Sequence, residues 1–469
     1  MKWNRWAGFI LLLLSFWLVD SCSQRPPQTR FDREKWDETN LSGAYNTGGN
    51  PGPKWDKDAQ DALNAYAQTW TAPNDEQETL SDLIGTASEK AMGEGCQDSM
   101  VRYLYIRYSP EVQAKSLAER QNLYQDAADK LENSSYPAIQ KFYANLNAAE
   151  FLWWDQNERL WRQVVQHRHA AISDLAQAVR DPSLPKAEGD AAASQLFDML
   201  EYNEEETTNA YNQIQSALAS QSGVGTMADF IKATFYVNYA WQARGHGWAD
   251  QVTPEGWRLF AERLKIARKA LEHAWSKDPQ DPQIPTLMIS IIKSDQSGRP
   301  EMEKWFARAM KADPNNYAAC HAKLNFLQPK WYGSRDDMLA FGRECVASTN
   351  WGGQVPLILA DAHSEFDGTL TGADSRNYWL SPDVWPDIQS AYEKYARLNP
   401  DETRFRYPYA WYALQCGQTN AFVQQINLIK QNDGEINYKY FGGQASFEKS
   451  WAEATGGVLS TNGTTTNGQ

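Results

Sequence analysis

The amino-acid sequence predicts an all-α protein in which helices pair and stack into an array. The apolar side chains of Met302, Trp305, Phe306, Ala309 and Met310 are spaced as on one face of a helix. An Asp-Pro pair follows and ends the helix, because the residue before a proline is pushed out of the α region. The segment from 56 to 222 also shows helical spacing and no clear strand alternation.

This helix ending recurs along the second half of the chain. It occurs at Asp278-Pro279, at Asp313-Pro314 and, with asparagine, at Asn399-Pro400. The first two copies lie 35 residues apart (278 to 313), and a period near 34 is typical of a tetratricopeptide array. The third copy follows 86 residues later (313 to 399), so we expect an irregular helix pair between them.

The first residues of the chain have the features of a targeting signal. Lys2 and Arg5 precede an apolar run from 7 to 18, which is too short to span a membrane comfortably. We therefore predict a signal peptide over residues 1–21 and a mature protein that is exported to the cell envelope.

The end of this signal resembles a bacterial lipobox, in which Cys22 becomes the lipid-bearing first residue. Asp20 departs from that pattern, and cleavage by an ordinary signal peptidase after Ser21 is the alternative. Lipidation of Cys22 predicts a membrane anchor and a lipoprotein that is attached to the outer membrane or faces the periplasm.

Composition divides the remainder of the chain. Pro, Gly and Asn are frequent before residue 56, whereas Gly, Ser, Thr and Asn dominate after 455. The predicted segments are a flexible tether at 22–55, an N-terminal helical lobe at 56–222, a tetratricopeptide-like lobe at 223–455 and a disordered tail at 456–469.

Polar residues mark the starts of several helices in the second lobe. Thr253 precedes a proline, which suits the first helical position. Asn316 and Ser334 stand where N-caps are expected, and Thr226 opens a capping-box pattern with Asp229.

One stretch of this lobe resembles a known family. It runs Ala309-Met-Lys-Ala-Asp-Pro-Asn-Asn-Tyr317 and continues with Leu327-Gln-Pro-Lys-Trp-Tyr-Gly-Ser334. Over roughly residues 226–430 the chain is similar to an uncharacterised bacterial family of tetratricopeptide-like proteins. The resemblance implies paired helices stacked into a curved array, and it implies no activity, because the family has none assigned.

The net charge and the absence of common catalytic motifs limit the classes of function that the sequence supports. A net charge of −14 disfavours binding to nucleic acid and to anionic lipid. The chain has no Gly-rich phosphate loop, no His-Glu-x-x-His and no Gly-x-Ser-x-Gly. We therefore predict no catalytic residue, no cofactor and no metal site.

The histidines fit this interpretation. His167 and His169 lie two positions apart in a helix, do not share a face, and are expected to be solvated. His321 is expected to be buried and hydrogen-bonded on the stripe of its helix. In the triplet Asp361, His363 and Glu365, only the two acidic residues align if the segment is helical.

The cysteines after Cys22 have no close spacing. A zinc site or a compact disulfide framework is therefore not indicated, and we expect small buried thiols. These residues are Cys96, Cys320, Cys345 and Cys416.

Aromatic clusters are the candidate ligand-facing residues. Packing between helices is the simpler explanation, and a groove for an extended peptide or a sugar chain is the functional one. The candidates are Trp331, Tyr332, Tyr378, Trp379, Trp385, Tyr407 and Tyr409.

These observations favour a binding or scaffolding module for another envelope protein or peptide, anchored through its lipid. Helical arrays expose extended concave surfaces suited to this role. Two alternatives remain: a cell-surface glycan-binding lipoprotein, and an (α/α) toroid hydrolase or lyase acting on polysaccharide.

Overall fold

The all-α prediction is confirmed. The computed structural model describes residues 30–49, 51–69, 77–153, 158–200, 203–221, 225–245, 247, 249–295, 297–400, 402–433 and 436–456, and every regular element in these ranges is a helix. The predicted signal peptide, Cys22 and the tail beyond residue 456 lie outside them. None of the described helices is both long and apolar enough to cross a membrane.

The described residues in the first half of the chain form eleven α-helices and a short 3-10 helix at Glu158–Leu160. They are α1 (Arg30–Gly48), α2 (Asp56–Gln68), α3 (Gln77–Gly93), α4 (Ser99–Tyr108), α5 (Pro110–Gln113), α6 (Leu117–Glu132), α7 (Ala138–Trp153), α8 (Trp161–Ala178), α9 (Lys186–Met199), α10 (Glu204–Ala219) and α11 (Met227–Arg244).

The predicted tether at 22–55 is wrong for most of its length, because α1 packs onto the body. Leu41 and Tyr45 are fully buried in a cluster formed with α2, α3 and α4. Trp36 donates from its indole Nε1 to Ser183 Oγ at 3.1 Å. The many polar residues of α1 concealed this role, since some of them are buried in ion pairs and hydrogen bonds.

Two such contacts fix α1 against α7 and α9. Arg33 forms a buried ion pair with Glu188, and Glu188 accepts a hydrogen bond from the Tyr143 hydroxyl at 2.7 Å. Gln140 donates to the buried Asp37 at 2.8 Å. The segment from 30 to 48 is therefore an integral part of the helical body.

In the second half, the part of the chain that the structure describes forms eleven further α-helices, with short 3-10 helices at Ala249–Gln251, Val355–Leu357 and Tyr438–Phe441. They are α12 (Pro254–Lys277), α13 (Gln283–Asp295), α14 (Arg299–Ala312), α15 (Tyr317–Phe326), α16 (Arg335–Ala347), α17 (Ile358–Asp367), α18 (Ala373–Trp379), α19 (Val384–Leu398), α20 (Arg406–Gln415), α21 (Thr419–Asp433) and α22 (Gln444–Thr455).

Three of the four expected helix caps are confirmed. Thr253 accepts from the backbone N–H of Gly256, Asn316 from that of Ala319 and Ser334 from that of Asp337. Thr226 makes no side-chain cap hydrogen bond, so the capping box predicted there is wrong.

The stripe on α14 is buried as predicted. All five of its apolar side chains belong to one cluster shared with α12, α13, α15 and α16. The Trp305 ring meets the Trp275 ring of α12 edge to face, with ring centres 5.8 Å apart. The helices pair as α11 with α12 and α13 with α14. Trp275 and Trp305 thus join α12 and α14, the second helices of two successive pairs.

The first helices of the pairs, which are α13, α15 and α17, also pack against one another. α13 pairs with α14 and also contacts α15, and α15 contacts α17 in turn. Second helices are linked on their own side, where Arg299 of α14 pairs with Asp337 of α16 and Arg343 of α16 with Asp387 of α19. This neighbour-to-neighbour packing is what a helix-pair array requires.

The helix α11 contributes to both halves of the molecule. Its residues Ile231 and Phe235 pack into the cluster of α7 to α10, whereas Phe230 and Ala233 pack into the cluster of α12 to α17. Lys186 of α9 adds a buried bridge to Asp281, at 2.8 Å. The two halves are therefore in close contact, and the domain boundary near residue 222 stays a prediction.

Candidate functional site

The exposed sides of α13, α15 and α17 form a polar surface. The ammonium of Lys293 on α13 donates to Asn325 Oδ1 on α15 at 2.8 Å. His321, one turn earlier on α15, has Nε2 3.9 Å from Glu365 Oε1 on α17. Asp361 lies one turn before Glu365 on the same helix. We call these five side chains the first-helix face.

Hydrogen-bond acceptors gather at one end of this face. The Tyr317 hydroxyl donates to Asp361 Oδ2 at 2.5 Å, and the Gln328 amide donates to Glu365 Oε2 at 2.7 Å. The group comprises Tyr317, His321, Gln328, Asp361 and Glu365, and we call it the acceptor cluster. Its side chains come from α15, from the turn after it and from α17.

Burial makes the Asp361 carboxyl unusual. Desolvation raises its pKa to about 6, against the lowering effects of the Tyr317 hydrogen bond and the nearby His321. Desolvation and the Asp361 charge likewise raise the pKa of Tyr317. Asp361 therefore changes its charge close to neutral pH, while Tyr317 remains a hydrogen-bond donor.

Helix geometry explains why this cluster forms. Asp361 and Glu365 align on α17, as the sequence predicted, and His363 points to the opposite side. His363 is fully buried, with Nδ1 2.7 Å from the Tyr378 hydroxyl and Nε2 3.1 Å from Asp387 Oδ2. His363 thus connects α17, α18 and α19 and takes no part in the acceptor cluster.

The prediction for His321 is wrong. Its side chain is 46% exposed, and its ring lies beside that of Tyr317 with centres 6.2 Å apart. The buried face of α15 carries Cys320 and Leu324, and His321 lies on the opposite, outer side of the helix. This exposure makes the imidazole accessible to a ligand.

Most of the predicted ligand-facing aromatics form the packing between helices. The idea of ligand contact is wrong for Tyr378, Trp379, Tyr407 and Tyr409, which are buried. Trp385 is partly buried and stacks on Tyr409, with ring centres 5.8 Å apart.

Trp331 and Tyr332 lie next to the first-helix face. The Lys293 ammonium is 5.0 Å from the centre of the partly buried Trp331 ring. Tyr332 is exposed on one side and stacks on Phe326 on the other, with centres 4.6 Å apart. Of the seven aromatic candidates, Tyr332 is the one with an open face.

The expectation of solvated histidines at 167 and 169 is half wrong. His169 is exposed, but His167 is buried on α8, where its Nδ1 lies 2.8 Å from Asn145 Oδ1. Asn145 in turn donates to both Asp174 and Glu132. Burial, followed by the Glu132 charge, raises the pKa of Asp174 to about 7.

This carboxyl predicts a pH dependence of stability. The folded protein holds the Asp174 proton to higher pH than the unfolded chain, so its contribution is complete below about pH 4 and is lost as pH rises to 7. At pH 8 we expect Asp174→Asn to be more stable than the parent protein, with a free energy of unfolding that is higher by at most about 4 kcal/mol. The two should converge at low pH.

Thermal melts from pH 4 to 8 measure this. A residual slope from Asp190, whose pKa burial also raises to about 7, should remain in the variant. Parallel curves for parent and variant across the range would contradict the assignment to Asp174.

The thiols after Cys22 are free and buried, as expected. Cys320 Sγ lies 3.6 Å from Met310 Sδ inside the array. Burial and the neighbouring Cys320 raise the pKa of Cys345. Within the described ranges no three His, Cys, Asp or Glu side chains converge as metal ligands.

Sequence reasoning missed two exposed tryptophan surfaces. Arg168 lies 5.2 Å and 5.5 Å from the ring centres of Trp153 and Trp161. Arg244 lies 5.4 Å and 5.3 Å from those of Trp241 and Trp257. The signal was present in the helical spacing of tryptophan and arginine, at i, i+7 on α8 and i, i+3 on α11.

Comparison with protein-family models and with curated proteins identified no relative of this chain. No family model matches the chain, and no curated protein matches it with significance. The functional argument therefore rests on the geometry of the first-helix face.

Proposed function

We propose that this protein is an exported, lipid-anchored helical-repeat protein whose first-helix face binds a segment of another envelope protein. The observation that carries the proposal is the row of partly exposed polar side chains on α13, α15 and α17, which ends in the acceptor cluster. Rigid stacked helices hold these groups in fixed positions, which lowers the entropy lost on binding. The open face of Tyr332 adds an aromatic contact at the edge of this surface.

Position-specific cross-linking in cells tests the binding face. Ala318 is exposed on α15 beside His321, and Ala307 is exposed on α14 among the second helices. A photoreactive phenylalanine analogue at 318 should give one discrete adduct with an envelope protein, and the analogue at 307 should not. Equal adducts from 318 and 307, or no adduct from 318, would overturn the proposal.

The anchor has its own test. If Cys22 carries lipid, the protein should fractionate with membranes, and Cys22→Ala should appear in the soluble exported fraction. Intact-mass measurement of the mature protein checks the modification directly. An unmodified N-terminus in the parent protein would rule the anchor out.

Glycan binding is the second candidate, and the tryptophan surfaces favour it. Trp153, Trp161 and Trp257 are 40%, 42% and 39% exposed, and arginine holds each ring from one side. Exposed rings held in place are suited to stacking on sugar rings. Tryptophan fluorescence titrated with oligosaccharides should respond in the parent and not in Trp161→Ala if this function is correct.

A further inference from the structure

A polar cleft lies between α10 and α11 and shares no residue with the first-helix face. Its volume is about 540 Å³, and small-molecule sites in proteins occupy roughly 300–1,000 Å³. We call it the α10 cleft. The residues that line it are Glu204, Glu205, Thr208, Asn209, Asn212 and Tyr239.

Helical spacing arranges the α10 side chains of this cleft in two rows. Glu205, Asn209 and Asn212 form the outer row, and Glu204 and Thr208 form the row beside α11, because residues three or four positions apart share a helix face. The outer row runs for about 10 Å along the helix, at 1.5 Å per residue. This length exceeds that of a single sugar ring.

The wall of the cleft on the α11 side is held in place by α12. Arg263 of α12 donates from Nη1 to the carbonyl oxygen of Tyr239 at 2.5 Å and from Nη2 to Glu204 Oε1 at 3.3 Å. Burial, followed by the nearby Glu204, raises the pKa of Tyr239, so its hydroxyl remains a hydrogen-bond donor. Three helices therefore fix the groups on this side of the cleft.

The outer row carries polar groups that are available to a ligand. Its three side chains are exposed, and within the described part of the chain neither Glu205 nor Asn212 makes a hydrogen bond or an ion pair. Asn209 accepts from Gln213 through Oδ1 at 3.3 Å, which leaves its Nδ2 donors free. The row thus offers amide donors together with amide and carboxylate acceptors.

We propose that the α10 cleft binds an uncharged oligosaccharide through the hydroxyl groups of its sugar rings. A hydroxyl group donates one hydrogen bond and accepts others, so a row of mixed donors and acceptors can satisfy neighbouring hydroxyls. This site goes beyond the protein binding proposed for the first-helix face, and it uses none of the residues of the tryptophan surfaces.

Charged ligands fit the cleft less well. A cation has donors alone and would leave the amide N–H groups of Asn209 and Asn212 unused, whereas an anion would be repelled by Glu205 and by the net charge of −14. The Tyr239 ring already packs against Phe235, with ring centres 5.1 Å apart, and against Arg263. Hydrogen bonds therefore supply the affinity, and we expect dissociation constants in the millimolar range.

Native gel electrophoresis of the full chain with polysaccharide in the gel tests the cleft. We expect retardation by at least one of the uncharged polymers soluble starch, arabinoxylan, galactomannan and mixed-linkage β-glucan. Oligosaccharides cut from that polymer should compete, and its monosaccharide should compete far less, because the outer row is longer than one ring. Polygalacturonate, which is anionic, should leave the migration of the protein unchanged.

Single substitutions locate the binding. Asn212→Ala should weaken the retardation about three- to tenfold, as expected for the loss of a hydrogen bond. The matched control is Asn420→Ala, at an exposed position on α21, which should bind like the parent.

Three results would overturn the inference. They are no retardation by any uncharged polymer, equal binding by Asn212→Ala and the parent, and a loss that follows Trp161→Ala and spares Asn212→Ala. The last result would place the sugar on the tryptophan surface. None of them affects the cross-linking test of the first-helix face, since that test reports on other residues.

Discussion

Replacing Trp305 with alanine is expected to lower the free energy of unfolding by about 3–5 kcal/mol, the cost of truncating a buried aromatic ring. The side chain is only 3% exposed and lies between successive helix pairs. It also loses a hydrogen bond from Nε1 to Glu301 at 2.9 Å and a contact with the Arg308 guanidinium, 4.1 Å from the ring centre. Denaturant unfolding of parent and variant measures the loss.

Trp257→Ala is the matched control. It removes the same ring from a position that is 39% exposed, so a much smaller loss is expected. If Trp305→Ala and Trp257→Ala unfold alike, the α14 stripe does not form the centre of the repeat packing.

Replacing Glu188 with alanine is expected to cost a similar amount, about 3–5 kcal/mol, because the substitution leaves a buried positive charge without its partner. Glu188 is fully buried, and Arg33 of α1 is nearly so. The Tyr143 hydroxyl loses its acceptor at the same time. Thermal or denaturant unfolding measures the effect.

An exposed ion pair serves as the comparison. Glu255 pairs with Arg258 on the surface of α12, and Glu255→Ala should destabilise the protein far less than Glu188→Ala, because water screens an exposed ion pair. Equal, small losses in Glu188→Ala and Glu255→Ala would mean that α1 contributes little to the body, as the tether prediction held.

The periodic features of the fold could be predicted from sequence. The stripe on α14, the Asx-Pro endings and the caps at 253, 316 and 334 are local signals, because a helix sets its own spacing and termini. The role of α1 could not, since Arg33 and Asp37 are polar residues whose burial depends on partners more than 100 positions away. Composition alone makes such a segment look solvated.

The candidate site was predictable only in part. The alignment of Asp361 with Glu365 follows from helical spacing, but their approach to Tyr317 and His321 depends on how α15 packs against α17. Aromatic spacing likewise could not separate buried rings from exposed ones. Tyr332 and Tyr378 each stand next to a tryptophan in the sequence, yet Tyr332 is exposed and Tyr378 is buried.

The most direct test of the array is hydrogen exchange in Trp305→Ala. Each helix pair contacts only its neighbours in an array, so the loss should be local. Our account predicts faster amide exchange over α12 to α16, with exchange in α2 to α7 unchanged. An even rise across both halves of the chain would contradict the repeat architecture, and with it the continuous first-helix face on which the proposed function depends.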